Sequence, residues 1–257
     1  MAQRLLAIAC VCAVSFSLGC LRRETIPETG RRRAALQYSE ADMAVLGANA
    51  FREVEKKYKT ITGTKWANSV TRVGTRIGKA SGKNYDWEFR LFDSPKTINA
   101  FCLPGGKIGV FSGILPIAKD DDGLAIILGH EVAHATLQHA NERMSEPALK
   151  KLIGLPVGIV VGTWGALEPH SRKAVMSGLG LGAIVGELMP YNQQMEVEAD
   201  DVGLVYTKQA GYDYRKGPAL WRRMAAESKG RVSDSVSSHP DPEARAERME
   251  RHIQQMD

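Results

Sequence analysis

The sequence predicts one α+β domain, mainly helical, with a small antiparallel sheet placed ahead of a buried central helix. Three observations predict it. Apolar residues recur at helical spacing behind a capping residue at Ser39 and behind three aspartates at 120–122. Two stretches, 87–92 and 107–111, alternate apolar and polar residues around a Pro104-Gly105-Gly106 turn. Beyond an amino-terminal leader and tether, about 220 residues remain, enough for one domain with a sizeable core.

The leader comes first. Arg4 is followed by an uncharged stretch from Leu5 to Leu18 and then Gly19-Cys20, a signal-peptide pattern over 1–19 that is too short for a comfortable membrane span. Gly19 before Cys20 resembles the cleavage box of bacterial lipoproteins, in which the cysteine is lipidated and becomes the first residue. Ser17 stands where that box usually has leucine, so a plain secretory signal is the alternative. Leu21 lacks the aspartate associated with inner-membrane retention. The expectation is therefore a bacterial periplasmic protein, anchored to the outer membrane through a lipid on Cys20.

Residues 20–38 read as a tether. Arg22, Arg23, Arg31, Arg32 and Arg33 gather there, as a solvated linker or as a contact for anionic headgroups. Of the four cysteines, Cys10 and Cys12 lie in the leader and Cys20 would carry lipid, which leaves Cys102 with no partner for an internal disulfide. Cys102 reads as a packing residue. The net charge of +5 is modest and no pattern suggests nucleic acid as a partner.

The domain begins at residue 39 and runs to 257. Ser39-Glu40-Ala41-Asp42 resembles a capping box for a helix to about Lys57, and a second helix spans Ala67 to Lys79. Two or three short antiparallel strands follow. An edge strand of such a sheet has free backbone groups that can pair with an extended peptide.

The central helix carries the most informative pentapeptide, His130-Glu131-Val132-Ala133-His134. Composition alone would produce about 0.009 such matches in a chain of this length. Residues four apart differ by about 40° around a helix, so both imidazoles can reach one metal ion while Glu131 stands beside it. Leu124, Ile127, Leu128, Ala135 and Leu137 make the run from Gly123 to His139 apolar on more than one side, so the helix should be buried. A buried helix with two histidines and a glutamate needs partners for them, and a metal supplies one.

A catalytic zinc normally takes three protein ligands. The short metzincin continuation fails, because Ala135-Thr136-Leu137-Gln138-His139-Ala140 follows His134. Met195-Glu196-Val197-Glu198-Ala199-Asp200-Asp201 offers the better source. Glu196 can ligate while Asp200, one turn on, accepts the other ring N–H of a ligand histidine. Glu198 and Asp201 read as a solvated acidic face, and His139 as a packing or hydrogen-bonding residue. Residues 149–190 are rich in glycine and apolar residues. Two segments of about 15 residues there are too short to span a membrane and predict a helical hairpin or lid over a cleft. Asp241-Pro242-Glu243 starts a terminal helix.

The order of these motifs resembles the gluzincin metallopeptidases, in the group of HtpX, LoiP and the CaaX prenyl endopeptidases. The resemblance rests on the His130 pentapeptide, Glu196-x-Glu198-Ala199-Asp200, Asn99-Ala100-Phe101-x-Leu103-Pro104-Gly105-Gly106 and Ser238-His239-Pro240, covering roughly 39 to 250. It implies a gluzincin-type domain with one zinc ion per chain held by His130, His134 and Glu196, with Glu131 as general base and Asp200 supporting a ligand. It also implies that Asn99, Ala100 and Phe101 bind substrate and that His239 donates to the oxyanion. The implied reaction is hydrolysis of peptide bonds in unfolded or extended polypeptides, in this setting misfolded or damaged envelope proteins. A catalytically silent or latent metal-binding chaperone or assembly lipoprotein is the alternative, against which the intact Glu131 argues.

Overall fold

The computed structural model describes residues 23–147, 153, 157–185, 191–228 and 242–256. The leader, Cys20 and His239 lie outside the described residues. The stretch read as a tether carries an antiparallel hairpin, β1 (Arg23–Thr25) and β2 (Arg32–Ala34). Ile26, in its turn, is buried in the main core. α1 (Glu40–Lys57) starts at the expected cap, where the Ser39 hydroxyl accepts from the Asp42 backbone N–H at 3.1 Å. That bond satisfies one of the donors that a first helical turn leaves open. β3 (Thr60–Ile61) and α2 (Lys65–Ala80), capped by Thr64, follow.

β4 (Glu88–Phe92), β5 (Ala100–Leu103) and β6 (Lys107–Phe111) complete a four-stranded sheet in the order β3-β4-β6-β5. Gly105 and Gly106, at φ 77° and 85°, form the turn between β5 and β6, a conformation that glycine adopts without a Cβ clash. The small sheet is present, but it is mixed instead of wholly antiparallel: β4 pairs with β6 in parallel. After β4 the chain crosses to the far edge, lays down β5 and hairpins back. β6 therefore enters the middle of the sheet running the same way as β4.

Alternation along the strands feeds two cores. Phe89, Leu91, Ala100, Cys102, Ile108 and Val110 face the core shared with α2 and the central helix. Phe92, Phe101, Leu103 and Phe111 face the other, where Phe51 of α1 joins them in an aromatic cluster.

After α3 (Leu115–Ala118) comes the central helix, α4 (Asp121–Thr136). Asp120 is its N-cap and accepts from Gly123 N–H at 2.9 Å. Asp121 pairs with Arg72, and Asp122 with Lys216. Every residue from Gly123 to Thr136 is buried, as an all-round apolar run requires. The helix stops before His139. Gln138 takes a left-handed conformation at φ 58° and α5 (His139–Met144) begins a new direction.

The glycine-rich stretch forms α6 (Val157–Gly162), α7 (Pro169–Met176), a π turn at Ser177–Leu181 and α8 (Gly182–Val185). Val160, Leu167, Val175 and Leu179 from this stretch lie in the second core. Among the described residues no helix is long and apolar enough to cross a membrane. α9 (Gln193–Gln209), α10 (Gly217–Ser228) and α11 (Pro242–Met256) follow, with α9 packed along α4 and α11 along α10.

Candidate metal centre

α4 presents His130 and His134 one turn apart, and α9 brings Glu196 across to them. One donor atom from each of the three lies within 4.8 Å of the other two. The Nε2 atoms of His130 and His134 are 3.0 Å apart, and Glu196 places its carboxylate oxygens 3.5 and 3.3 Å from them. His130, Glu131, His134 and Glu196 are each no more than 4% exposed.

The opposite ring nitrogens are already engaged. His130 Nδ1 lies 2.9 Å from Asp200 Oδ1 and, as the Nδ1–H tautomer, donates to it, with Arg245 Nη2 3.0 Å from the same nitrogen. His134 Nδ1 lies 2.8 Å from His139 Nδ1. With protons on both Nδ1 atoms, the two Nε2 lone pairs and a carboxylate face one point and repel one another. A divalent cation relieves that repulsion, and two nitrogens with one oxygen are a donor set such an ion accepts. The residues therefore fit a metal. Burial, reinforced by neighbouring His130, pushes His134 well below its ordinary range despite Glu196, so it stays in the neutral, ligating form.

Arg245 of α11 belongs to the centre and was not among the residues the sequence pointed to. It is 2% exposed. Its Nε and Nη2 donate to the two oxygens of Asp200 at 2.9 and 2.6 Å, and its Nη1 lies 3.0 Å from Glu196 Oε2. The guanidinium stacks on Trp221, 3.4 Å from the ring centroid. Arg248 adds a second donor to Asp200 at 2.6 Å. Burial opposes ionisation of Asp200, but the Arg245 charge and the His130 hydrogen bond outweigh it and hold the carboxyl well below its usual range. A sequence signal for Arg245 exists: it lies one turn before Met249 on the stripe of Ala246, Met249 and Ile253 that α11 buries.

Glu198 corrects the sequence reading. It is 5% exposed, not on a solvated face. His139 Nε2 lies 3.2 Å from its Oε2, Arg31 Nε donates to the same oxygen at 2.7 Å, and the Thr29 hydroxyl donates to Oε1. Burial would raise its carboxyl, yet these partners lower it on balance. Asp201 remains partly exposed, and burial raises its carboxyl.

β5 forms the outer edge of the sheet beside α4, as expected for the Asn99 segment. Asn99, Ala100 and Phe101 are buried, and the Ser177–Leu181 turn packs against the strand. The Phe101 side chain lies in the aromatic cluster against Phe51, Phe92 and Phe111. Cys102 is buried, and burial together with Glu131 raises its thiol well above the ordinary value, which suits packing and not nucleophilic attack. A cavity of about 10 Å³ touches His130, Glu131, Asn99 and Trp221, close to the volume of one water. A larger cavity of about 290 Å³ lies at the other end of β5, lined by Cys102, Pro104, Met43 and His134 among others.

Comparison with known proteins adds to this geometry. The profile described as peptidase family M48 matches residues 65–253. The chain is 33% identical over 240 residues to the mitochondrial metalloendopeptidase OMA1 of Schizosaccharomyces pombe, covering 88% of this chain and 65% of that protein. It is 36% identical over 177 residues to the mitochondrial metalloendopeptidase OMA1 of Bos taurus, covering 66% and 33%. A beta-barrel assembly-enhancing protease of Yersinia pestis is 25% identical over 231 residues, covering 87% and 46%. The chain thus spans between a third and two thirds of the length of these relatives. Two expectations change. The relatives named mitochondrial overturn the placement in a bacterial periplasm on an outer-membrane lipid anchor. The finer grouping with HtpX, LoiP and the CaaX prenyl endopeptidases gives way to the broader family, with OMA1 proteins among its matched members.

Proposed function

The chain belongs to peptidase family M48, and we propose that it is a metalloendopeptidase, that its ion is zinc and that its substrates are unfolded or extended polypeptides, misfolded or damaged proteins among them. The observation that carries this reading is the convergence of His130, His134 and Glu196 on one point with Glu131 on the same helix. Three protein ligands leave a fourth position open, the arrangement of a catalytic site.

Bound zinc would polarise a water and the scissile carbonyl. Glu131 would accept a proton from the attacking water and return it to the leaving amine. Asp200 fixes His130 as the Nδ1–H tautomer, so that Nε2 keeps its lone pair for ligation. The outer edge of β5 supplies backbone groups against which an extended chain aligns, and burial of the centre favours polypeptides that can be drawn out over folded ones.

The test compares the full chain with Glu131→Gln for bound zinc and for cleavage of casein. Zinc in both with cleavage lowered by about a hundredfold or more in the variant supports the reading, given the usual worth of a general base. Zinc in both with no cleavage by the parent would favour a latent or binding role instead. A folded parent that takes up no zinc would overturn the centre.

A further inference from the structure

The geometry points to Arg31, in the amino-terminal hairpin, as a positioning residue for the metal ligand His134, acting through Glu198 and His139. This rests on the proposed zinc site. Arg31 lies ahead of residue 65, where the family match begins.

The direction of every bond in the chain follows from its first member. His134 turns Nε2 to the other ligands, so a ligating His134 carries its proton on Nδ1. That proton is donated to His139 Nδ1 at 2.8 Å, which must then offer a lone pair. A neutral His139 with a free Nδ1 carries its proton on Nε2, and Glu198 Oε2, 3.2 Å away, accepts it. Glu198 must therefore keep Oε2 in place as the acceptor, and Arg31 holds it there at 2.7 Å.

Arg31 also holds the helix that carries His139. Its Nη1 and Nη2 donate to the two oxygens of Glu142 at 2.8 and 2.6 Å. Glu142 lies one turn after His139 on α5. A single guanidinium thus ties α5 to α9, with the bidentate pairing to Glu142 that arginine satisfies and lysine does not. The left-handed Gln138 is what turns α5 back so that His139 reaches His134.

The hairpin has a second anchor that bypasses this chain. Arg33 pairs with Glu24 and donates to the Leu137 carbonyl. Arg33→Ala therefore loosens the hairpin without touching His139 or Glu198, and it separates positioning from simple tethering.

The experiment measures zinc affinity of the full chain by chelator competition, the visible spectrum after cobalt loading, and kcat and KM on casein, for the parent, Arg31→Ala, Arg31→Lys and Arg33→Ala. Arg31→Ala should weaken zinc by up to roughly tenfold, the low end of the cost of losing a partner bonded directly to a ligand, because Arg31 acts through two intervening groups. It should also shift the cobalt bands and lower kcat more than it raises KM. Arg31→Lys should recover little, and Arg33→Ala should keep the parent's affinity and spectrum. Should Arg31→Ala fail to fold, Glu198→Gln, which keeps the shape and loses the charge, is expected to weaken zinc in the same direction. Parent-like affinity and spectrum in Arg31→Ala, or an equal loss in Arg33→Ala, overturns the positioning role alone. A folded parent without zinc overturns the site and this role with it.

Discussion

Gly129 and Gly203 meet where α4 crosses α9, so closely that a Cβ on Gly203 would fall 2.8 Å from the Gly129 carbonyl carbon and 2.8 Å from His130 N. A real Cβ does not sit that near to backbone, so the helices approach at this point because neither residue has a side chain. Thr207 reinforces the crossing by donating to the Ala125 carbonyl at 3.2 Å. Close approach is what lets Glu196 reach the histidines of the other helix. Gly203→Ala should therefore cost about 1–3 kcal/mol, as overpacking of a filled core does, and should weaken zinc in the same variant. Chemical denaturation and chelator competition check the two effects. A variant that lost stability but bound zinc as the parent does would break the link between crossing and ligation.

Asp200 gives a prediction with a definite sign. Its carboxyl is held below the ordinary range in the folded chain, so its ionised form contributes stability that is present above the ordinary carboxylate value. That stability is lost as pH falls below that value toward the depressed one. Asp200→Asn removes the contribution and leaves Arg245 with Glu196 as its remaining buried carboxylate, a loss of about 2–3 kcal/mol near neutrality, below the cost of a charge left wholly unpaired. Between about pH 5 and pH 2 the parent should lose stability steeply while the variant's curve is shallower, so that the two converge in acid. Urea melts across that range check it. Parallel curves would show that Asp200 is not the group responsible.

How much of this was legible in the sequence divides by distance along the chain. His130, Glu131 and His134 were legible because helical periodicity alone fixes their relation, and Asp200 because it lies one turn from Glu196. Glu198 was misread for the same reason: two residues on from Glu196, it points elsewhere, and nothing local announces that Arg31 and Thr29 cover it. The end of α4 was also hidden, since neither Leu137 nor Gln138 is a usual left-handed helix terminator. The parallel pairing of β4 with β6 depends on which strand takes the edge, a choice that alternation does not encode.

Tyr191 lies flat against His134, with ring centroids 4.2 Å apart and planes 25° from parallel. It directly precedes Asn192, the N-cap of α9, whose side chain accepts from Met195 N–H at 2.9 Å, so the start of the helix fixes the ring. The Arg143 guanidinium lies 4.5 Å from the Tyr191 centroid. Tyr191→Leu keeps apolar bulk and removes the stack, which should cost about 1 kcal/mol beyond burial and speed removal of zinc by a chelator. Stopped-flow extraction checks it. An unchanged rate would mean that the ring packs on His134 without shielding it.

The larger cavity supplies a prediction about specificity. It opens beside His134 at the Leu103 end of β5, and Ala41 lies on its wall with Met43, Tyr85 and Cys102. Its volume of about 290 Å³ is of the size that takes one large side chain, and its mostly apolar walls, with Glu40 and Asp86 among them, favour a leucine or phenylalanine over an acidic residue. Ala41 is exposed on α1 and contributes nothing to the metal ligands, so Ala41→Phe narrows the cavity while leaving the centre alone. Zinc content and cleavage of peptides with small residues should be unchanged. KM for peptides with a large apolar residue beside the scissile bond should rise with little change in kcat, the pattern of lost uniform binding. Equal effects on small and large residues would remove this cavity from the path of the substrate.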